Sequence, residues 1–337
     1  SYITIRSIIF KAVAVVLMFL FVKDQNHYVI YGGITIVAAV GSNIFNLINV
    51  HKYISLKPVG NYNLKPHMKA ILIFFGMSIA TTIYTNLDIA MLGFMKTDED
   101  VGYYNAAVRI KTILVSIVTS LGTVLLPRAS YYIQQGMKDE FLKISKKAIN
   151  FVFLVATPMM IYFILYAEEG IYFLSGDAYT GAILPMQIIM PTLLFIGMSN
   201  ILGIQMLVPM GRENIVLYSE IAGAIVDLII NIFLIPKYGA TGAAIGTLIA
   251  EAVVLIYQYL VLKNDIVGVY KNLKYLTVIV GVLIGVCCSI FVKSLNIWCF
   301  WKLVISAIIF FGIYGIVLLI AKEPLVIELF YKFIKKK

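Results

Sequence analysis

Apolar runs of about 20 residues recur along the whole chain, separated by short clusters of charged and turn-forming residues. At 1.5 Å per residue, a run of that length crosses a bilayer core as a helix. The pattern predicts ten spans, at roughly 8–22, 28–50, 70–93, 103–126, 148–166, 183–208, 215–235, 241–262, 274–293 and 301–321. No connection exceeds about 20 residues, so no soluble domain is expected. The fold class that follows is an all-α polytopic membrane protein. Composition agrees, with 61% hydrophobic and only 13% charged residues.

Charge sets the orientation. With the loops placed alternately on two sides, one side collects 20 Lys and Arg and the other five, namely Lys23, Lys96, Lys237, Lys293 and Lys302. Arg109 and Lys111 fall inside a span. The rich side is therefore expected to be cytoplasmic, with both termini on it. The poor side carries the acidic clusters TDED (97–100) and AEEG (167–170). The net charge of +10 is read as topology, not as a nucleic-acid surface. Cys287, Cys288 and Cys299 lie in or beside the last two spans, in neither a disulfide framework nor a metal-ligand pattern. The first apolar segment lacks a small-residue cleavage site, so no cleavable signal peptide is expected.

An internal repeat shapes the domain reading. FLFVK at 19–23 and FLIPK at 233–237 lie 214 residues apart, each closing an apolar run before a short outer turn and a second span. A parallel repeat of two bundles is a common transporter plan. On that plan 1–50 holds the last two helices of an N-terminal lobe, 51–69 a cytoplasmic linker, 70–262 a C-terminal six-helix lobe, and 263–337 two trailing helices with a basic tail. The first-lobe counterpart of residue 70 would lie about 144 residues upstream of Ser1, so about four further spans are expected there.

Four segments, NLDIAMLGFMKTDEDVGYYNAA, SLGTVLLPRAS, LFIGMSNILGIQMLVPMGRE and LIPKYGATGAAIGTLIAE, carry a resemblance covering about 1–321. They closely resemble the Wzx-type oligosaccharide-repeat-unit flippases of the multidrug/oligosaccharidyl-lipid/polysaccharide exporter superfamily. The resemblance implies fourteen spans in two six-helix lobes plus two C-terminal helices. It implies a non-enzymatic function in the cytoplasmic membrane, moving an undecaprenyl-diphosphate-linked oligosaccharide such as an O-antigen unit to the outer leaflet by alternating access. A polysaccharide polymerase and chain-length proteins would be partners. No cofactor is implied other than a candidate Na+.

Several polar residues share one depth. Asp88, Asp227, Asn231, Thr247, Glu251 and Arg109 all fall roughly 7–15 Å below the expected outer face, counted along their helices. Asp227 and Asn231 are four apart, as are Thr247 and Glu251, so each pair projects from one helix face. Asp or Arg at a helix centre costs roughly 2.5–3.5 kcal/mol to insert, so such groups pair or line a cavity. Three readings stand open. Asp88 and Arg109 could form a structural ion pair while Asp227 bonds across helices. Glu251 could carry a proton, since a desolvated carboxylate holds its proton more tightly. Or Asp88, Asp227, Asn231 and Thr247 could bind a hard cation. For the last, the related lipid II flippases are similar: their sodium site uses an aspartate on the second lobe's first helix, an Asn and Asp four apart on its fifth, and a threonine and a carbonyl on its sixth. Here the pair runs Asp then Asn, Thr247 matches in spacing, and the carbonyl would be that of Ala243.

A diphosphate needs fixed cations, and the candidates are Arg109, Lys11, Arg128 and Arg212. Arg109 and Lys111 are two apart and cannot both face one cavity. Anchoring at the basic interface is the plainer role for Arg128 and Arg212, and snorkelling for Lys11. GATGAAIG superficially resembles a phosphate loop but opens a membrane helix, where small-residue helix packing is the better reading. Tyr103 and Tyr104 are expected in an aromatic belt, with stacking on a sugar as the alternative. Two other functions are weighed: a multidrug or cation antiporter of the same superfamily, and a membrane glycosyltransferase or polymerase, which would need a larger outer loop than any here.

Overall fold

The computed structural model describes residues 2–24, 27–50, 60, 65–266 and 275–328. Most of the expected linker (51–59 and 61–64) and the basic tail from 329 lie outside the described residues, as do Lys271 and Lys274. Among the described residues there is no strand. Cα packing divides the chain into two units, Ser1–Pro66 and His67–Lys337.

The first unit is a pair of helices, α1 (Tyr2–Phe21) and α2 (Tyr28–Val50), joined by a short turn. Arg6 reaches Asn46 across the pair at 3.5 Å. The second unit opens with three long helices, α3 (Lys65–Met95), α4 (Asp98–Gln134) and α5 (Lys138–Leu165). A short α6 (Ala167–Ser175) follows on the lysine-poor side, and then a broken span made of α7 (Ile183–Ile189) and α8 (Thr192–Asn200) with a π-helical end at Ile201–Leu207. Last come α9 (Glu213–Tyr238), α10 (Ala240–Leu262), α11 (Tyr275–Ser289) and α12 (Cys299–Ile320).

Among the described residues eight helices are long and apolar enough to cross a membrane, or nine if the bent pair counts as one span. The chain is an all-α, multi-pass membrane protein. The count falls one short of the ten runs, α1 not being among the eight. The expected span 183–208 is bent by 45°. Pro191 stands at that break, where a residue lacking an N–H cannot continue the helical ladder. Pro158 instead stays inside a continuous α5.

Local chemistry ends and aligns these helices. Thr97 caps α4 by accepting from the Asp100 N–H at 3.4 Å, and Asp98, Glu99 and Asp100 fill the first turn, where the helix dipole favours negative charge. Asp100 also accepts from the Ala240 N–H at 3.2 Å, tying the start of α4 to the α9–α10 turn. That turn needs Gly239: its φ is +53°, and a Cβ there would collide with the Asp100 carboxylate.

Tyrosine hydroxyls hold the trailing helices on α5. Tyr314 donates to the Leu154 carbonyl at 2.8 Å, Tyr162 to that of Leu303 at 2.8 Å, and Tyr166 to that of Ser289 at 2.7 Å. Around these bonds Phe310, Val278 and Leu318 form a small core of their own. The three cysteines are free thiols.

Candidate functional site

The centre of the second unit holds a buried polar knot where α3, α4, α9 and α10 meet. Asp88 is 2% exposed, and both its oxygens are engaged. Oδ1 accepts from the Asn231 side-chain amide at 2.6 Å, and Oδ2 from the Thr247 hydroxyl at 2.7 Å. The Tyr104 hydroxyl also donates to Oδ2, and lies 2.7 Å from that of Thr247. The Thr247 hydroxyl also lies 3.1 Å from the Ala243 carbonyl one turn back, which its single proton can serve only in place of Asp88.

The neighbouring oxygens are different. Asp227 and Asn231 are wholly buried, yet neither Asp227 oxygen nor Asn231 Oδ1 meets a donor in hydrogen-bond geometry, although the Asn231 amide stands near the Asp227 carboxylate. With its amide aimed at Asp88, Asn231 turns its carbonyl oxygen toward α10. Gly246 makes room for it there: a Cβ at that position would strike Asn231 Oδ1 and lie 3.0 Å from Asp227 Oδ1. Asp227 is in electrostatic range of both Asp88 and Glu251, itself 3% exposed. Buried carboxylates this close cannot all carry charge without a cation or a proton between them.

These residues fit a hard monovalent cation. Such an ion takes several oxygen ligands, and Asp227 with Asn231 offers three donor-free oxygens on one face of α9, beside a fully bonded Asp88. Among the described residues no three His, Cys, Asp or Glu stand together as a metal-holding group.

The expected cation set, Asp88, Asp227, Asn231, Thr247 and Ala243, is thus brought together, with Glu251 beside it. Arg109 is exposed and is not among the partners of Asp88, whose oxygens are taken by Tyr104, Asn231 and Thr247. Arg212 is held by Asp265 at 2.9 Å. Arg128 is exposed at the lysine-rich end of α4, in a pocket with Lys143 and Lys147. Lys11 lines a separate cavity of about 520 Å³ between α1 and α2.

Two residues escaped the sequence reading. Tyr104 is not a belt residue: it is 1% exposed and bonded into the knot, while Tyr103 packs edge-on against Tyr179 with ring centres 5.9 Å apart. Lys111, not Arg109, is the buried base of α4, at 8% exposure. The available signal was helical phase. Tyr104, Ala107, Lys111, Leu114 and Val118 recur at spacings of three and four, and all are buried. A further part-buried contact lies nearer the lysine-rich side, where the Thr81 hydroxyl donates to Glu220 across α3 and α9.

Comparisons with known proteins bear on the whole chain. The family described as "Polysaccharide biosynthesis protein" matches residues 1–133, and the family MatE matches residues 73–233. An uncharacterized membrane protein of Methanocaldococcus jannaschii is 29% identical over 63% of this chain and 42% of its own length. A putative O-antigen transporter of Shigella dysenteriae is 27% identical over 77% of this chain and 65% of its own. The chain therefore spans between two fifths and two thirds of these relatives. Among solved structures, the lipid II flippase MurJ in an inward closed conformation shares the fold at a TM-score of 0.74 and 18% identity, over 96% of this chain and 68% of that one.

Proposed function

We propose that this chain is a Wzx-type member of the multidrug/oligosaccharidyl-lipid/polysaccharide exporter superfamily and flips an undecaprenyl-diphosphate-linked oligosaccharide from the inner to the outer leaflet of the cytoplasmic membrane. Supporting the substrate class is the likeness to a putative O-antigen transporter over 77% of the chain. A polysaccharide polymerase would then act on the exported glycan, and both termini would face the cytoplasm.

Cation coupling is the second part of the proposal. The observation that carries it is the set of three donor-free oxygens on Asp227 and Asn231, buried beside Asp88. Sodium there would draw α9 toward α3 and α10, and would favour whichever access state holds those helices together. Its effect equals the difference in sodium affinity between the two states. Glu251, beside Asp227, supports a proton in place of sodium as a second reading.

The test is complementation with the full-length gene. In a host lacking its own flippase but making the cognate lipid-linked glycan, the protein should restore glycan at the cell surface. Failure to restore it, with normal amounts of protein in the membrane, would overturn the transport reading. Purified protein stabilised equally by sodium and potassium would remove the sodium site. A steep pH dependence lost in Glu251→Gln would move the coupling to a proton.

A further inference from the structure

The lysine-rich ends of α4 and α5 enclose a cavity of about 170 Å³ lined by Arg128, Tyr132, Glu140, Lys143, Ile144 and Lys147. We infer that this cavity binds the phosphodiester headgroup of an anionic phospholipid in the leaflet on that side. The inference does not rest on the transport reading, and it uses none of the residues of the buried knot.

Position comes first. Arg128 lies two residues beyond the apolar run 103–126, and Lys147 one residue before the run that starts at 148, so the cavity straddles the edge of the hydrocarbon layer. Lipid phosphates stand at that level. Tyr131 and Tyr132, with rings 6.0 Å apart, mark the same interface. Ile144 gives the cavity an apolar wall, suited to the glycerol end of a lipid.

Charge selects the ligand. Three cations from two helices converge here, and such crowding is unfavourable unless an anion joins them. Lys143 and Lys147, four apart, share one face of α5. Two carboxylates offset part of the charge: Glu140 stands 4.0 Å from Lys143, and Glu328 3.0 Å from Lys147. Arg128 has no ion-pair partner among the described residues. One positive charge is left, carried by the side chain whose planar fork best matches a phosphate. A phosphodiester has one negative charge and balances it, whereas a diphosphate would bring an excess. Basic pockets between membrane helices on this side are a known kind of headgroup site.

The experiment uses the full-length protein in nanodiscs of phosphatidylcholine, with or without phosphatidylglycerol, and counts lipids retained after detergent exchange by native mass spectrometry. Phosphatidylglycerol should be retained over phosphatidylcholine, and less so as salt rises. Each basic group near an anionic surface is worth about fivefold, so Arg128→Gln should lower retention about fivefold. The combined Arg128→Gln, Lys143→Gln and Lys147→Gln variant should lower it on the order of 100-fold. Lys263→Gln, at another exposed basic site, should leave it unchanged. Because Arg128 is exposed, its single variant remains informative if the triple one fails to fold. Unchanged retention in Arg128→Gln would overturn the assignment. So would displacement of phosphatidylglycerol by an equal amount of undecaprenyl diphosphate, which would give the cavity to a diphosphate instead.

Discussion

The side-chain amide of Asn231 donates to Asp88 at 2.6 Å, joining α9 to α3 across 143 positions of sequence. This one bond determines the chemistry of the knot. It aims the Asn231 amide at Asp88, so the Asn231 carbonyl oxygen, on the opposite side of the same group, points away from Asp88 and toward the Gly246 face of α10. Asp88 thereby serves as the bonded anchor of the site, and Asp227 as its open carboxylate.

Asp227→Asn should therefore abolish sodium-dependent stabilisation while the protein still folds, because an oxygen remains and only the balancing charge is lost. A bound ion at a hundredfold excess over Kd adds about 2.7 kcal/mol to stability, and that increment is what should disappear. Asp88→Asn should have the same effect on binding. The double variant should lose little more than either single one, since both disable one site. Thermal unfolding of the full-length protein in sodium and in potassium measures it, and fully additive losses would argue for two independent roles.

Tyr104→Phe removes one donor from buried Asp88 without changing shape. The expected cost is about 1–2 kcal/mol, read as a lower unfolding midpoint. Tyr103→Phe, on the neighbouring half-buried ring, should cost close to nothing. Equal losses in the two variants would mean that the Tyr104 hydroxyl contributes no more than a surface one.

Gly246→Ala places a methyl group where Asn231 Oδ1 and Asp227 Oδ1 now lie. Overpacking of this kind costs about 1–3 kcal/mol, and here it should also displace the two oxygens and weaken cation binding. Gly312→Ala, with nothing within 4 Å of the added methyl, should be tolerated. A Gly246→Ala protein with normal stability and normal sodium response would show that the oxygens do not depend on that space.

Arg109 is exposed, so Arg109→Ala should alter stability by no more than about 0.5 kcal/mol. If it holds the diphosphate during transport, export should nonetheless fail, and Arg109→Lys should recover part of it because charge survives while the fork is lost. Arg212→Ala breaks only the exposed pair with Asp265, worth about 0–1 kcal/mol, and should leave export intact. Surface glycan in a complemented host distinguishes the two. Normal export by Arg109→Ala would remove Arg109 from the substrate path.

Legibility in the sequence followed the dimension of the question. Crossing helices, their ends and the depth of each polar residue depend on distance along one chain. Apolar run length, charge bias and a constant rise therefore sufficed to place Asp88, Asp227, Asn231, Thr247 and Glu251 in one layer, where they now meet. Rotation of α4 about its own axis was harder to see. The phase that buries Tyr104 and Lys111 and exposes Arg109 is set by packing against α5, α7 and α8, not by which residue carries the stronger charge. The capture of Arg212 by Asp265 likewise depends on a neighbour 53 positions away in sequence. Tertiary structure alone decided which atoms of the knot are bonded and which are open. Hydrogen bonds are directional and each donor proton is used once, so the assignment exists only after four helices have fixed where every oxygen points.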